Sequence, residues 1–280
     1  MKRRILYIAC ILLKHGFLLL TAAISLLPLV SCLLVSVKSP AELSMKGLLF
    51  FGDSLHWENY VQVLQAGLSR GLLASAIVVT TVVFISGLLN AMVAYVLSRF
   101  RFQGQHLILG ILLFLSFLPS VTMHVYIFRI MVAVRLVNTL TGYIILLCGV
   151  DIVSVFIFTS YFSTIPTTID DAAIVDGCSL QGVFFRIHIP MLRKAFFTVG
   201  LIRGIVVYNE YFMSSIYLLD KSKYQTVPIT LYLLSAPFAT NYPVICAGVV
   251  LAILPTIVVF ILFQEQIYNG LSPQANKKDF

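Results

Sequence analysis

Six stretches of the 280-residue chain run almost without polar interruption: 17–37, 71–97, 107–128, 140–161, 196–219 and 242–263. Each has about the twenty apolar residues that an α-helix needs to cross a bilayer. The pattern predicts an all-α integral membrane protein of six transmembrane helices, an even number that leaves both termini on one side. Between the fourth and fifth stretches lies a compact polar interlude, Asp170 to Pro190, rich in acids, small residues and glycine.

The first stretch carries Leu29-Val30-Ser31-Cys32, which resembles the processing box of a bacterial lipoprotein. Leu33-Leu34-Val35 continue the apolar run where a mature lipoprotein would turn polar, so an uncleaved first helix is expected.

Composition sharpens the picture. Hydrophobic residues make up 60%, charged residues 11%, and the mean hydropathy is +0.99. That is about half the charge of a soluble domain, so the surface faces membrane lipid. The net charge of +8 then reads as Lys and Arg held at the cytoplasmic face, not as a nucleic-acid footprint. One set of loops holds eleven Lys and Arg residues and the opposite set seven. This bias places both termini and the polar interlude in the cytoplasm. Segments 39–70 and 220–241, with Trp57, Tyr60, Tyr232 and Tyr242 at headgroup level, then lie outside. Neither is long enough for a domain of its own, so residues 1–280 form one transmembrane domain with its core at about 71–265.

The five cysteines are scattered, without a CxxC pair, and the five histidines lack metal-ligand spacing. No Walker lysine loop, nucleophile elbow or paired-carboxylate motif is present, so no catalysis by this chain is expected.

Within the interlude, Pro166-Thr167-Thr168 ends the fourth apolar stretch and sets up a short helix. Thr168 and Asp171 have the spacing of a capping box, and Asp170 and Asp171 sit where the helix dipole favours negative charge. Gly177 tolerates the left-handed backbone that closes a helix. Ser179 caps a second short helix, with Leu180, Val183, Phe184 and Ile187 along one side. Ala172 and Ala173 are small enough for a partner to approach closely.

The order Asp171-Ala172-Ala173, three residues, Gly177, nine residues, Ile187-His188-Ile189-Pro190 resembles the EAA loop of ABC importer permeases. There the pattern is Glu-Ala-Ala, three residues, Gly, nine residues, Ile-x-Leu-Pro. Asp171, Cys178 and Ile189 depart conservatively from it, and His188 falls on a variable position. The resemblance extends to Asn59-Tyr60-Val61, to Ser98-Arg99-Phe100-Arg101-Phe102-Gln103-Gly104 and to Asn138-Thr139-Leu140-Thr141-Gly142. It also covers Tyr208-Asn209-Glu210-Tyr211 and Gln264 to Leu271, while the tail 272–276 departs from the family. Taken together, these segments look like the shorter permease subunit of a maltose-type carbohydrate importer.

The resemblance implies a cytoplasmic coupling-helix loop at about 163–194. In it Asp171, Ala172, Ala173, Asp176, Gly177, Ile187 and Pro190 would engage an ATPase. It further implies a second, homologous permease, two ATPase subunits that bind ATP and magnesium in place of this chain, an extracytoplasmic solute-binding protein, and a bacterial cell-membrane location.

Three charges fall within apolar stretches: Asp151, Arg203 and Glu210. Each costs roughly 2.5 to 3.5 kcal/mol at a helix centre and should face protein or water. Arg203 and Glu210 are seven residues apart, two turns along one helical face if the helix continues. With Asn209, and with Asn90 on the second stretch, they are candidates to line a translocation path; a buried ion pair of Arg203 with Asp151 is the competing reading. Gly200 and Gly204 form a small-xxx-small pair suited to helix packing. The alternatives to an ATP-driven carbohydrate importer are an ABC permease for another solute, an ion-coupled transporter titrating Asp151 and Glu210, and an intramembrane enzyme.

Overall fold

The computed structural model describes residues 2–117, 120–221, 223–235 and 241–271. The tail at 272–276, the side chains of 266–271 and Pro237 lie outside what is described. Helices account for the ordered backbone, and no strand occurs among the described residues. In chain order they are α1 (Lys2–Ser36), α2 (Pro40–Lys46), α3 (Glu58–Gln65), α4 (Leu68–Arg99), α5 (Gln105–Phe117), α6 (Ser120–Ala133), α7 (Leu140–Leu147) and α8 (Ile152–Phe162). Then follow α9 (Thr168–Val175), α10 (Leu180–Gly182), a π-helical turn (Val183–His188), α11 (Ile189–Met191), α12 (Arg193–Tyr208), α13 (Phe212–Tyr217), α14 (Val227–Leu234) and α15 (Tyr242–Leu271).

Among the described residues, three helices are long and apolar enough to cross a membrane, over Ile11–Ser36, Leu68–Arg99 and Tyr242–Glu265. The fourth apolar stretch is a bent pair: α7 and α8 meet at 51° across a break of four residues. The fifth, expected as one helix over 196–219, also breaks. Asn209 ends α12, and α13 begins at Phe212. The third is carried by α5 and α6, shorter apolar helices flanking 118–119.

The chain divides into two compact units, Met1–Ser69 with Thr230–Pro255 and Arg70–Ile229 with Thr256–Phe280. In the first, a polar clasp organises 36–59. The buried Lys38 donates from Nζ to the carbonyls of Gly47 (2.8 Å) and Leu48 (3.2 Å), and Asn59 Nδ2 donates to those of Ser36 and Lys38, both at 2.9 Å. These carbonyls would otherwise be orphaned where helices end. Asn59 is the first residue of the family-like Asn-Tyr-Val segment.

In the second unit α4 is the spine. Its upper half, Val78 and Val82, packs with Met131, Tyr143, Leu147, Val207, Tyr217 and Ile229. Its lower half, Ala91, Ala94, Tyr95 and Leu97, packs with Val155, Phe158, Phe162, Ile165, Phe184, Leu192, Ala195 and Val199. α12 lies close along this spine because Gly200 and Gly204 present only backbone to Val79 and Val83, which accounts for the small-residue pair. Thr139 caps α7 by accepting from the Gly142 amide at 3.0 Å. A Cβ on Gly142 would stand 2.1 Å from the Leu136 carbonyl oxygen, so only glycine fits there.

Candidate functional site

The polar interlude folds as helix, turn, helix. α9 closes with paired bonds, from the Cys178 amide to the Ala173 carbonyl (2.9 Å) and from Gly177 to Ile174 (3.0 Å), while Gly177 takes φ +85°. This is the closure that glycine at that position permits. Ser179 then accepts from the Gly182 amide at 3.1 Å and caps α10. The expected capping box of Thr168 and Asp171 does not form. The cap position falls one residue earlier than expected, at Thr167, whose backbone is already α-helical (φ −67°, ψ −20°) and which makes no side-chain cap. A helical residue lacks the extended backbone that aims a capping hydroxyl.

Past α10 the chain widens into π-helical spacing, with the Ile189 amide reaching back to Phe184. Pro190 follows directly; it has no N–H and its ring crowds the preceding turn, a common cause of such departures. This turn buries Val183, Phe184 and His188 and leaves Phe185 and Arg186 exposed.

α9 therefore has two faces. Asp170 and Ala173 are buried, whereas Asp171, Ala172, Ile174, Val175 and Asp176 are exposed, Val175 at 86%. On the inner face the Asp170 carboxylate meets Arg99 Nε at 2.8 Å and His188 Nε2 at 2.6 Å. Arg99 also donates from Nη2 to the Ile165 carbonyl at 2.9 Å. Aromatic rings enclose the cluster: Tyr95 and Phe162 each lie 5.2 Å from the His188 ring, and the Arg99 guanidinium lies 5.8 Å from the centre of Phe162. Burial lowers the His188 pKa, against the pull of Asp170, which raises it. Arg99 and Asp170, opposite in charge, offset one another.

The candidate intramembrane residues gather mainly at the break between α7 and α8. Asp151 caps α8, its carboxylate accepting from the Ser154 amide (2.9 Å) and hydroxyl (2.5 Å). The Asp151 amide in turn donates to Asn90 Oδ1 at 2.9 Å, and Asn90 Nδ2 donates to the Ser86 carbonyl at 2.7 Å. Arg203 Nη2 donates to the carbonyl of Leu147, the last residue of α7, at 2.8 Å. Arg203 and Asp151 do not form the ion pair considered above, because the cation is committed to the carbonyl on the other side of the break. Side chains from α4 and α12 thus satisfy backbone groups that a broken span leaves open in lipid.

Glu210 does not share a helical face with Arg203, because α12 ends at Tyr208. It bridges the second break, with Oε1 accepting from the Met213 amide at 2.8 Å and its carbonyl accepting from Ser214 Oγ at 2.9 Å. Asn209 is exposed and donates to the Ile205 carbonyl at 2.9 Å.

Asp170 at a first helical turn, Arg99 in a basic segment and His188 on a variable motif position were each visible in the sequence, but nothing there joined the three. Two signals were available: His188 is a polar residue in a largely apolar run, and Arg99 closes a long apolar helix.

No family model matches the chain. Among curated proteins it is 30% identical to the arabinooligosaccharides transport system permease protein AraQ of Halalkalibacterium halodurans, over 97% of this chain and 98% of that one. It is 29% identical to the trehalose/maltose transport system permease protein MalG of Thermococcus litoralis, over 92% and 94%. Its fold matches a chain in the crystal structure of a bacterial ABC transporter involved in the import of the acidic polysaccharide alginate. That match has a TM-score of 0.78 at 22% identity and covers 91% of this chain and 95% of the other. With apolar helices arranged for several membrane crossings, the chain belongs to the ABC importer permease family.

Proposed function

We propose that this chain is the permease subunit of an ATP-driven carbohydrate importer, and that loop 163–194 is where it receives work from an ATPase. The observation that carries this reading is the two-faced α9. Its inner face is locked to the protein by Asp170, while Asp171, Ala172, Val175 and Asp176 stand free for a partner. Ala173, Gly177, Ile187 and Pro190 shape the loop behind that surface. The carbohydrate assignment rests on the relatives, whose names specify oligosaccharide or disaccharide transport.

On this reading the apolar stretches make six spans, two of them broken, with both termini in the cytoplasm. A second, homologous permease completes the path, two ATPase subunits bind ATP and magnesium, and an extracytoplasmic binding protein delivers the sugar. The chain itself is not an enzyme. Asn90, Asp151, Arg203, Asn209 and Glu210 border the path by holding open the two helix breaks. Asp151 and Glu210, the carboxylates an ion-coupled mechanism would use, both accept from backbone amides at a helix start, a structural use that such a mechanism does not require.

Purification of the complex in mild detergent, followed by uptake assays in proteoliposomes, tests the proposal. ATPase subunits should co-purify, and deletion of 172–177 should abolish this while the spans still insert. Sugar uptake that needs no ATPase and collapses with an uncoupler would overturn it.

A further inference from the structure

We infer that Arg99, Asp170 and His188 form a buried joint that makes α4 the lever carrying loop movement to the break between α7 and α8. This rests on the coupling role proposed for the loop. These three are positioning residues, acting through α4 and not on any substrate.

The cluster is more than a cap on a connector. The side chains of Arg99 and His188 are 7% and 0% exposed, and that of Asp170 is 13% exposed. Arg99 and Asp170 thus form a largely buried ion pair, with His188 against the same carboxylate. A buried ion pair contributes little net stability compared with apolar packing of the same volume, so its presence calls for a geometric reason. Arg99 supplies one. Its fork engages two elements, the carboxylate on α9 and the Ile165 carbonyl in the turn before it, which fixes an angle as well as a distance. His188 adds the π-helical turn to the same carboxylate. Three separate parts of the loop are thus tied to the last residue of α4.

α4 is suited to carry what arrives there. It runs 32 residues with no proline and no break, whereas α7/α8 and α12/α13 are interrupted. Nine residues before Arg99, about 14 Å along the axis, Asn90 accepts from the Asp151 amide at the break. The loop and the broken span are therefore bonded to one rigid helix at two points. Proximity alone does not establish coupling, so the lever has to be tested by how variants at its two ends combine.

The complete importer, with both permeases, the ATPases and the binding protein, is reconstituted in proteoliposomes, and sugar transported per ATP hydrolysed is measured. Asp170→Asn should retain co-purified ATPase and ATP hydrolysis but lose about tenfold in transport per ATP, within the range of typical coupling energies. Arg99→Gln combined with Asp170→Asn should recover part of that loss, since no unpaired charge remains and the two amides can bond. Asn90→Ala touches no part of the loop and should show the same phenotype. Combining Asn90→Ala with Asp170→Asn should lose no more than the worse single variant.

Unchanged transport per ATP in Asp170→Asn, or losses at the two ends that multiply, would overturn the lever while leaving the importer itself intact. Should Asp170→Asn lose its ATPase, the double variant decides: restored assembly with partly restored coupling supports the joint, and restored assembly with full coupling overturns it. ATP-independent uptake by the unaltered complex would instead remove the underlying functional reading.

Discussion

Two short helices in this protein each carry a carboxylate in the first turn, and they use it in opposite ways. In α2, Glu42 Oε2 accepts from the Ser39 amide at 2.9 Å while Ser39 Oγ accepts from the Glu42 amide at 3.2 Å, a reciprocal cap. Oε1 then gathers the amides of Asp53 (2.9 Å) and Ser54 (3.3 Å). All of these bonds lie within residues 39–54. In α9, Asp170 makes no such cap and turns to Arg99, more than seventy residues earlier, and to His188. One carboxylate finishes a local fold; the other fixes one element against another. Damage to the first should stay local, and damage to the second should spread.

The largest expected effect follows from that contrast. Asp170→Ala leaves Arg99 buried without its counter-charge and should cost about 3–5 kcal/mol in chemical unfolding of the purified complex. Pairing it with Arg99→Met should recover much of the loss. Arg99→Lys keeps the charge but loses the fork to Ile165, for an expected cost of about 2 kcal/mol. Equal effects of Arg99→Lys and Asp170→Ala would show that geometry matters as much as charge here, and an unaffected Arg99→Lys would show that charge alone matters. Ser39→Ala removes half of the reciprocal cap and should cost about 1 kcal/mol, with no change in transport per ATP.

The smallest effects should appear in pH titrations. The Ser39 amide, with those of Asp53 and Ser54, holds the Glu42 pKa down to about 2, against the usual 4.5. Its stabilisation is therefore fully present above 4.5 and is lost as pH falls towards 2. The sole tryptophan, Trp57, lies in the same loop and should report the loosening, which Glu42→Gln should abolish. His188 behaves differently. Burial depresses its pKa below the ordinary 6.5, so the folded loop favours the neutral ring and should loosen as pH drops below that value. Protease sensitivity of the loop that is flat from pH 8 to 5 would contradict this.

The sequence was most legible where one residue type answers a local backbone need. Gly177 at a left-handed closure, Ser179 at a cap and Gly200 with Gly204 at a close helix approach all follow from local rules. The positions of the apolar helices follow from hydropathy. What hydropathy could not show is where a span breaks, because 140–161 and 196–219 are equally apolar on both sides of each interruption. The signal lay in the polar residues inside them. Asp151 and Glu210, expected to line a path, also accept an amide at the start of the helix that follows each break. The expected box of Thr168 and Asp171 is absent, whereas Ser39-Pro40-Ala41-Glu42 forms a complete one at the start of α2. The Arg99–Asp170–His188 cluster was hidden for a different reason: its members are far apart in sequence, and no local rule joins them.

Site-directed photo-crosslinking tests the central claim most directly. A photoreactive amino acid placed at Val175, on the outer face of α9, is compared in native membranes with one placed at Phe50, 71% exposed in the first unit. The account predicts an adduct with a nucleotide-hydrolysing subunit from Val175 and none from Phe50. An adduct of Val175 with a different protein, or with lipid alone, would contradict it.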